Sequence, residues 1–396
     1  MKVDPQTVRV RTKGPDPLLP NNLTDILVMD QSWAERHGAV RPAGAGESPA
    51  ARSANGTGPY VLVSREPGVR TVLHRNEGYW GRGEAPLDIH EVVFRPIPDG
   101  RARVEALLAG EVDFLQDVPV GQIARLAEAQ DIRVNTSPEN RSVFLGLNVG
   151  APELRSSNIR GRNPFADRRV REASSLAIDR DALRRGVMQD QSVPAGVIVP
   201  PFSNGYTDAL DRVPAPDLSR ARALIAEAGY PDGFGVTLRC TNDRYLSDAE
   251  LCRAIAEMLT DFGGRTKPQT WPAAQHFPAV RRAELDLYLL GWGVSTFDSE
   301  YIFSLLYHTN ARELGGWNGM GFSNGEIDAE IRSLRSEIGA ARRNITIAKL
   351  WERLKAETID VPLHNQSVTY AMRRALDITA DVSNQPKIKY VGPPRT

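Results

Sequence analysis

Asn163-Pro164-Phe165-Ala166-Asp167-Arg168-Arg169-Val170-Arg171-Glu172-Ala173, continued by Ala177-Ile178-Asp179-Arg180, is the stretch on which the fold turns. From Asp167 to Val187 the apolar residues Val170, Ala173, Leu176, Ala177 and Leu183 return at helical spacing, which predicts one long amphipathic helix buried on that face. The polar, turn-rich segment before it, residues 150–164, reads as a connection, so a second lobe is expected to begin here. Downstream, helices are expected over 217–228, 248–262, 325–337 and 345–358, and strands over 236–240, 286–291 and 361–372. Upstream, 7–13 alternates as a half-exposed strand, 25–37 reads as a short element and 38–58, rich in Gly, Pro, Ala and Ser, as a loop. Residues 60–65 and 70–75 read as a hairpin and 92–97 as another strand. Then come a helix over 101–109 stopped by Gly110, a strand over 112–115, and the same order again over 120–129 and 132–136. Such alternation of helix and strand predicts an α/β fold.

Length and composition agree with more than one lobe. A chain of 396 residues exceeds what one hydrophobic core usually serves. Lys plus Arg equals Asp plus Glu at 49 each, which offers no net field for nucleic acid or an anionic membrane. No apolar run is long enough to cross a bilayer, and the first ten residues lack the pattern of a secretory signal. Cys240 ends a strand pattern and Cys252 sits in a helical one. They read either as two buried free thiols or as one disulfide stapling strand to helix; an oxidising compartment favours the disulfide.

Catalytic chemistry is hard to find. There is no Gly-x-Ser-x-Gly elbow, and the six histidines are scattered. No His-x-x-x-His, His-Glu-x-x-His or Asp-rich calcium loop is present. Gly56-Thr57-Gly58-Pro59 lacks the Lys-Ser/Thr ending of a phosphate loop. The expectation is a protein with no enzymatic activity, no metal and no cofactor.

Taken in order, several motifs resemble the family 5 solute-binding proteins of peptide, opine and nickel ABC importers. They are Gly56-Thr57-Gly58-Pro59-Tyr60, Arg75-Asn76-Glu77-Gly78-Tyr79-Trp80-Gly81, Arg103 to Asp113, the Asn163–Arg180 segment, Ala228-Gly229-Tyr230-Pro231-Asp232-Gly233, Gly291-Trp292-Gly293, Phe322 to Asp328 and Val361-Pro362-Leu363-His364. The resemblance implies a two-lobed α/β fold of the type II periplasmic-binding-protein kind, closing by a hinge, with crossings near 146–152 and 364–370. Lobe I is expected over 1–148 plus 366–396 and lobe II over 149–365. It implies an extracytoplasmic, periplasmic receptor, a monomer that captures a peptide or peptide-like small molecule and delivers it to the transmembrane subunits of an ABC permease. A periplasmic ligand sensor or peptide chaperone without a transport role is the alternative. Members of the family have more residues before the point where this chain begins inside lobe I; a fragment is favoured over a reduced variant.

A pocket of mostly apolar walls with few aimed polar groups suggests the ligand residues. Trp292, at the end of an apolar strand, is expected to form an aromatic wall, or else to be a core tryptophan. Asp298 is either an acceptor for a ligand ammonium or a helix N-cap. Asn242, Arg244 and Tyr245 follow a strand in a loop expected to face the ligand, where Arg244 would clamp a carboxylate or remain solvated. Trp317 and Asn318, between glycines, either present an aromatic and an amide or form a packing turn. His364 lies at the inferred crossing, as a ligand donor or a structural histidine. Asn140 and Arg141 are weaker candidates, and Tyr60 and Trp80 are assigned turn and core roles. Several peptide-binding members carry an acid where this sequence has Ser295 and an arginine where it has Leu289, which departs from ordinary di- or oligopeptide specificity.

Overall fold

The computed structural model describes residues 3–41, 48–261 and 263–394. Residues 42–47 of the expected loop and the last residue of the helix expected over 248–262 therefore lie outside the described residues. Among the described residues ten strands follow: β1 (Tyr60–Glu66), β2 (Arg70–Arg75), β3 (Glu91–Phe94), β4 (Phe114–Leu115), β5 (Ile132–Leu147), β6 (Ser192–Pro194), β7 (Gly235–Thr241), β8 (Arg265–Trp271), β9 (Leu287–Trp292) and β10 (Asp360–Arg373). Two compact units result, one made of the residues up to Thr24 with Asn140–Gln366, the other of Asp25–Glu139 with the residues from Ser367 on. The first boundary falls at 139/140 inside β5, where the sequence reading put it after residue 148. No turn marks it, because 132–136 and 143–147 belong to one uninterrupted strand. The N-terminal segment goes with the larger unit, where Asn21 Nδ2 donates to Thr296 O at 2.8 Å.

In the smaller unit β1, β2 and β3 form an antiparallel sheet, with Tyr60 opposite Arg75 and Val72 opposite Val93. The hairpin turn needs Gly68, whose φ is +74°. β3 stops at Phe94, since Pro96 and Pro98 have no N–H to donate. Asp99 caps the next helix, Gly100–Ala109, by accepting from Ala102 N at 2.7 Å, and Gly110 ends it at φ +78°. That helix buries Val104 and Leu107 against Leu115, Leu126, Ile132 and Ala371. Two expectations fail here. Trp80 is 72% exposed and Tyr79 takes the buried place beside it, so Trp80 has no core role. In the N-terminal segment no strand forms over 7–13, and Val8 and Val10 remain exposed.

The larger unit is built on a mixed sheet, ordered β10-β5-β9-β7-β8 with β6 on β10. β9 runs antiparallel to β5 and parallel to β7, which is parallel to β8. Alternate residues of these strands serve two different cores. Val143, Leu145, Leu147, Leu238, Leu287 and Leu289 pack with the helices Arg168–Leu176, Leu218–Glu227 and Asp248–Asp261. Phe144, Tyr288, Leu290 and Trp292 pack on the other face with Ala273–Arg281, Gly325–Leu334 and Ala340–Glu357. A strand buried on both faces reads as a continuous apolar run, as Leu287–Leu290 does. Cys240 and Cys252 are joined by a disulfide between β7 and the helix Asp248–Asp261, with Cα atoms 6.0 Å apart.

The long helix expected over Asp167–Val187 is broken. It runs from Arg168 to Leu176, restarts at Arg180 behind an Asp179 cap, and passes into a π-helical turn over Leu183–Val187. Arg180 Nη1 donates to the carbonyls of Ser175 and Ile178, which fixes the break. Asn163, in the same stretch, accepts from Phe165 N and donates to the carbonyls of Asn148 and Ala151, so its part is to tie the connection to the end of β5.

Candidate functional site

The C-terminal end of β9 gathers most of the expected residues. In register, Ser142 of β5 faces Trp292, and Val143 faces Gly291. Glycine is required on both sides of Trp292 by protein groups. A Cβ at Gly291 would lie 2.6 Å from the Tyr245 ring, and one at Gly293 would lie 2.8 Å from Asn140 O. Asn140 then fixes the outgoing chain through its amide, donating to Val294 O at 3.0 Å and accepting from Val294 N at 3.0 Å.

Trp292 stands in an aromatic cluster, its ring 5.5 Å from Trp317 in an edge contact and 5.8 Å from Tyr301. Phe277 closes on Trp317 at 5.7 Å. The indole is 7% exposed, yet its Nε1–H is buried with no acceptor. A buried donor left unpaired costs roughly 1–3 kcal/mol, so an acceptor reaching this position would recover that cost. Asn365 repeats the pattern. Its Oδ1 accepts from Ser142 Oγ at 2.6 Å, whereas its buried Nδ2 has no partner.

On the other side of Gly291, Tyr245 is buried and donates its hydroxyl to Gly291 O at 3.3 Å. Burial pushes its phenol pKa up. The Arg141 and Arg244 guanidinium carbons each lie 5.7 Å from its ring centroid. Arg244 and Asn242 are exposed. The loop is held by Asp248, whose Oδ2 accepts from Thr241 Oγ1 and from the backbone N–H groups of Arg244 and Tyr245. His364 is buried in β10, opposite Pro194 of β6. Desolvation lowers its pKa to about 4, so the ring is neutral at ordinary pH, and its Nε2 has no partner.

Two expected residues take the scaffold alternative, the N-cap for Asp298 and the packing turn for Asn318. Asp298 is committed to the scaffold: it pairs with buried Arg343 at 2.6 and 3.3 Å, accepts from Asn204 Nδ2 at 2.9 Å and caps the helical turn at Glu300 N. No oxygen is left for a ligand ammonium. Asn318 is likewise used up, donating to the carbonyls of His308 and Phe322 and accepting from Phe322 N. Sequence reasoning missed Ser142, Tyr301 and Asn365. Only Asn365 left a trace, as one of four polar residues, 364–367, inside the strand pattern 361–372.

With Asp298 and Asp248 engaged, this end of the sheet presents the exposed guanidinium of Arg244, two unpaired N–H donors and aromatic faces. Such a set binds acceptor oxygens, carbonyl or carboxylate, beside an apolar surface. Among the described residues no group of three or more His, Cys, Asp or Glu side chains could hold a metal ion, and no helix is long and apolar enough to cross a membrane.

The model of a family described as bacterial extracellular solute-binding proteins, family 5 Middle, matches residues 1–313. The glutathione-binding protein GsiB of Salmonella typhimurium is 27% identical over 336 residues, a match that takes in 83% of this chain and 61% of the relative. The chain thus spans about three fifths of the length of that relative. Among solved structures, the ABC transporter-associated periplasmic binding protein DppA from Helicobacter pylori, in complex with the peptide STSA, superposes with a TM-score of 0.78 at 20% identity, over 96% of this chain and 71% of that one. AgaA from A. tumefacien R10, in complex with agropinic acid, gives 0.73 at 21% identity, over 93% and 71%. These likenesses show the fold, that of the type II periplasmic binding proteins.

Proposed function

Because the chain belongs to family 5 of the bacterial extracellular solute-binding proteins, we propose that it is the solute-binding receptor of an ABC importer, capturing a peptide or peptide-like small molecule and passing it to the permease. The members of this family are binding proteins, and the site described above offers wall and donors without a nucleophile. One observation carries the reading: the buried, unpaired Nε1–H of Trp292 within an aromatic corner, with Asn365 Nδ2 as a second unused donor in the same unit. Both groups call for acceptor oxygens, and the exposed guanidinium of Arg244 favours a ligand that carries a carboxylate. A ligand that depends on a buried counter-charge for its ammonium fits less well, since Asp298 is held by Arg343. Action outside the cytoplasm, as a monomer and without turnover of the ligand, belongs to the same reading.

The test is thermal melting of the purified chain with glutathione, dipeptides and opine-type acids, followed by native mass spectrometry of whatever co-purifies. A ligand at a hundred times its Kd adds about 2.7 kcal/mol, a rise of roughly 5–11 °C for a unit of this size. Trp292→Phe, which keeps an aromatic ring in the core and removes the Nε1–H, is expected to abolish most of that rise while the ligand-free protein still melts within a few degrees of the parent. An unchanged rise in this variant would remove the central support of the reading.

A further inference from the structure

A cavity of about 220 Å³ lies entirely within the larger unit and away from Trp292. It reaches Asp360, the first residue of β10, whereas His364 and Asn365 come four to five residues later, roughly 13–17 Å along the strand. Leu176, Val197, Ile198, Trp351 and Leu354 give it apolar walls. Two cations also line it, Arg180 and Lys355; among the described residues neither is hydrogen-bonded to a carboxylate, though Asp211 lies near enough to act on Lys355.

Arg180 is buried, with Nε on Pro362 O at 2.6 Å, Nη1 on the carbonyls of Ser175 and Ile178, and Nη2 on Ser175 Oγ at 3.1 Å. Those four acceptors are neutral, and the guanidinium has five N–H groups. Burial lowers its pKa to about 10, so it remains charged at neutral pH. Lys355 donates to the carbonyls of Leu210 and Arg212, again neutral groups, which leaves one ammonium proton uncommitted. Its pKa is lowered by burial and, in smaller part, by the charge of Arg180, while Asp211 acts in the opposite sense. Asp211 does not bond to Lys355, for its carboxylate takes Gly196 N and Tyr206 Oη.

The two acids lining the cavity do not cancel these charges. Asp360 accepts from Tyr307 Oη at 2.6 Å, and burial raises its pKa to about 7, so much of it is protonated at neutral pH. Glu172 is only half-buried, where solvent screens it. Arg180 is a buried charge without a counter-charge, which is expensive, and an anion brought in with a ligand supplies the missing partner; Lys355 is exposed and adds a second, solvent-screened positive charge to the lining.

We propose that this cavity is a second binding site, for a small organic monocarboxylate whose carboxylate sits at Arg180 and Lys355 and whose apolar body lies against Ile198, Trp351 and Leu354. The site is independent of the ligand assigned to Trp292. Sodium hexanoate titrated calorimetrically into the full chain tests it. Saturable binding is expected, and Lys355→Met should weaken it by roughly tenfold, equivalent to about 1.4 kcal/mol. Lys355→Arg should restore most of the affinity, which separates loss of charge from loss of fold. Lys349→Met, an exposed position on the same helix, should change it by less than about twofold. 1-Hexanol, with the same body and no charge, should bind at least about tenfold more weakly. No saturable heat with hexanoate, equal binding of hexanol, equal binding of inorganic phosphate, or an unchanged Kd in Lys355→Met would each overturn the proposal.

Discussion

Replacing Arg343 by methionine decides whether Asp298 is scaffold or ligand residue. The two side chains are nearly inaccessible, at 7% and 6% exposure, and meet at 2.6 Å. Arg343 also donates to Leu334 O at 2.7 Å, so it links the helix Gly325–Leu334 to the turn after β9. Arg343→Met leaves the Asp298 carboxylate buried with only Asn204 Nδ2 and Glu300 N to satisfy it. Breaking one side of a buried pair costs about 3–5 kcal/mol, because the survivor keeps its desolvation penalty. For a unit of this length that is a fall in Tm of roughly 6–20 °C. The double variant Asp298→Asn with Arg343→Met removes the stranded charge and should recover a large part of the loss. Circular dichroism melts of the four proteins, with and without ligand, give the answer. If Arg343→Met melts within about 1 kcal/mol of the parent, or if Asp298→Asn alone abolishes ligand binding at unchanged Tm, the reasoning that withdraws Asp298 from the site is wrong.

Two further outcomes follow from buried groups. The carboxyl of Asp360 has a folded pKa of about 7, above its unfolded value near 3.8. The native state therefore holds the extra proton between those values, and this contribution to stability is present below about pH 4 and lost as pH rises through about 7. Asp360→Asn should raise the urea midpoint relative to the parent at about pH 8, by an amount on the order of 4 kcal/mol at most, and give no such gain near pH 4; an equal effect at both pH values would refute the assignment. The Cys240–Cys252 bridge closes a short loop, and its removal in the double serine variant should cost roughly 2–3 kcal/mol, measured as a lower melting temperature. Treating the parent with reductant should reproduce that fall, and an unchanged melt would mean the bridge contributes nothing to stability.

What the sequence made legible was what local pattern controls. β9 was readable because four consecutive apolar residues stop at Gly291, and Gly325–Leu334 because Asn324 caps it, accepting from Glu326 N and Ile327 N. The break at Ala177–Asp179 was not readable, since a helical period continues across it and the interruption depends on the Arg180 guanidinium folding back on Ser175 and Ile178. β8 was missed because Arg265–Trp271 is polar and contains Pro268, a composition tolerated at the edge of a sheet, where β8 lies beside β7. At the site, Trp292 and Tyr245 could be found from strand ends. For Asp298 the N-cap alternative holds, whereas its pairing with Arg343 was not readable because Arg343 is distant in the chain and follows no spacing rule. Asn365 depended on its contact with Ser142, a meeting only the folded sheet brings about.

The central place of β9 also governs how the larger unit can assemble. Leu287–Leu290 is uncharged and apolar, and its antiparallel neighbour, β5, was synthesised long before it. Until β5 pairs with it, one edge of this apolar hexapeptide stays open to other chains, and until β7 does, so does the other. Refolding from denaturant should therefore be slow and sensitive to protein concentration, and the period of greatest risk for aggregation ends only when this late strand is enclosed.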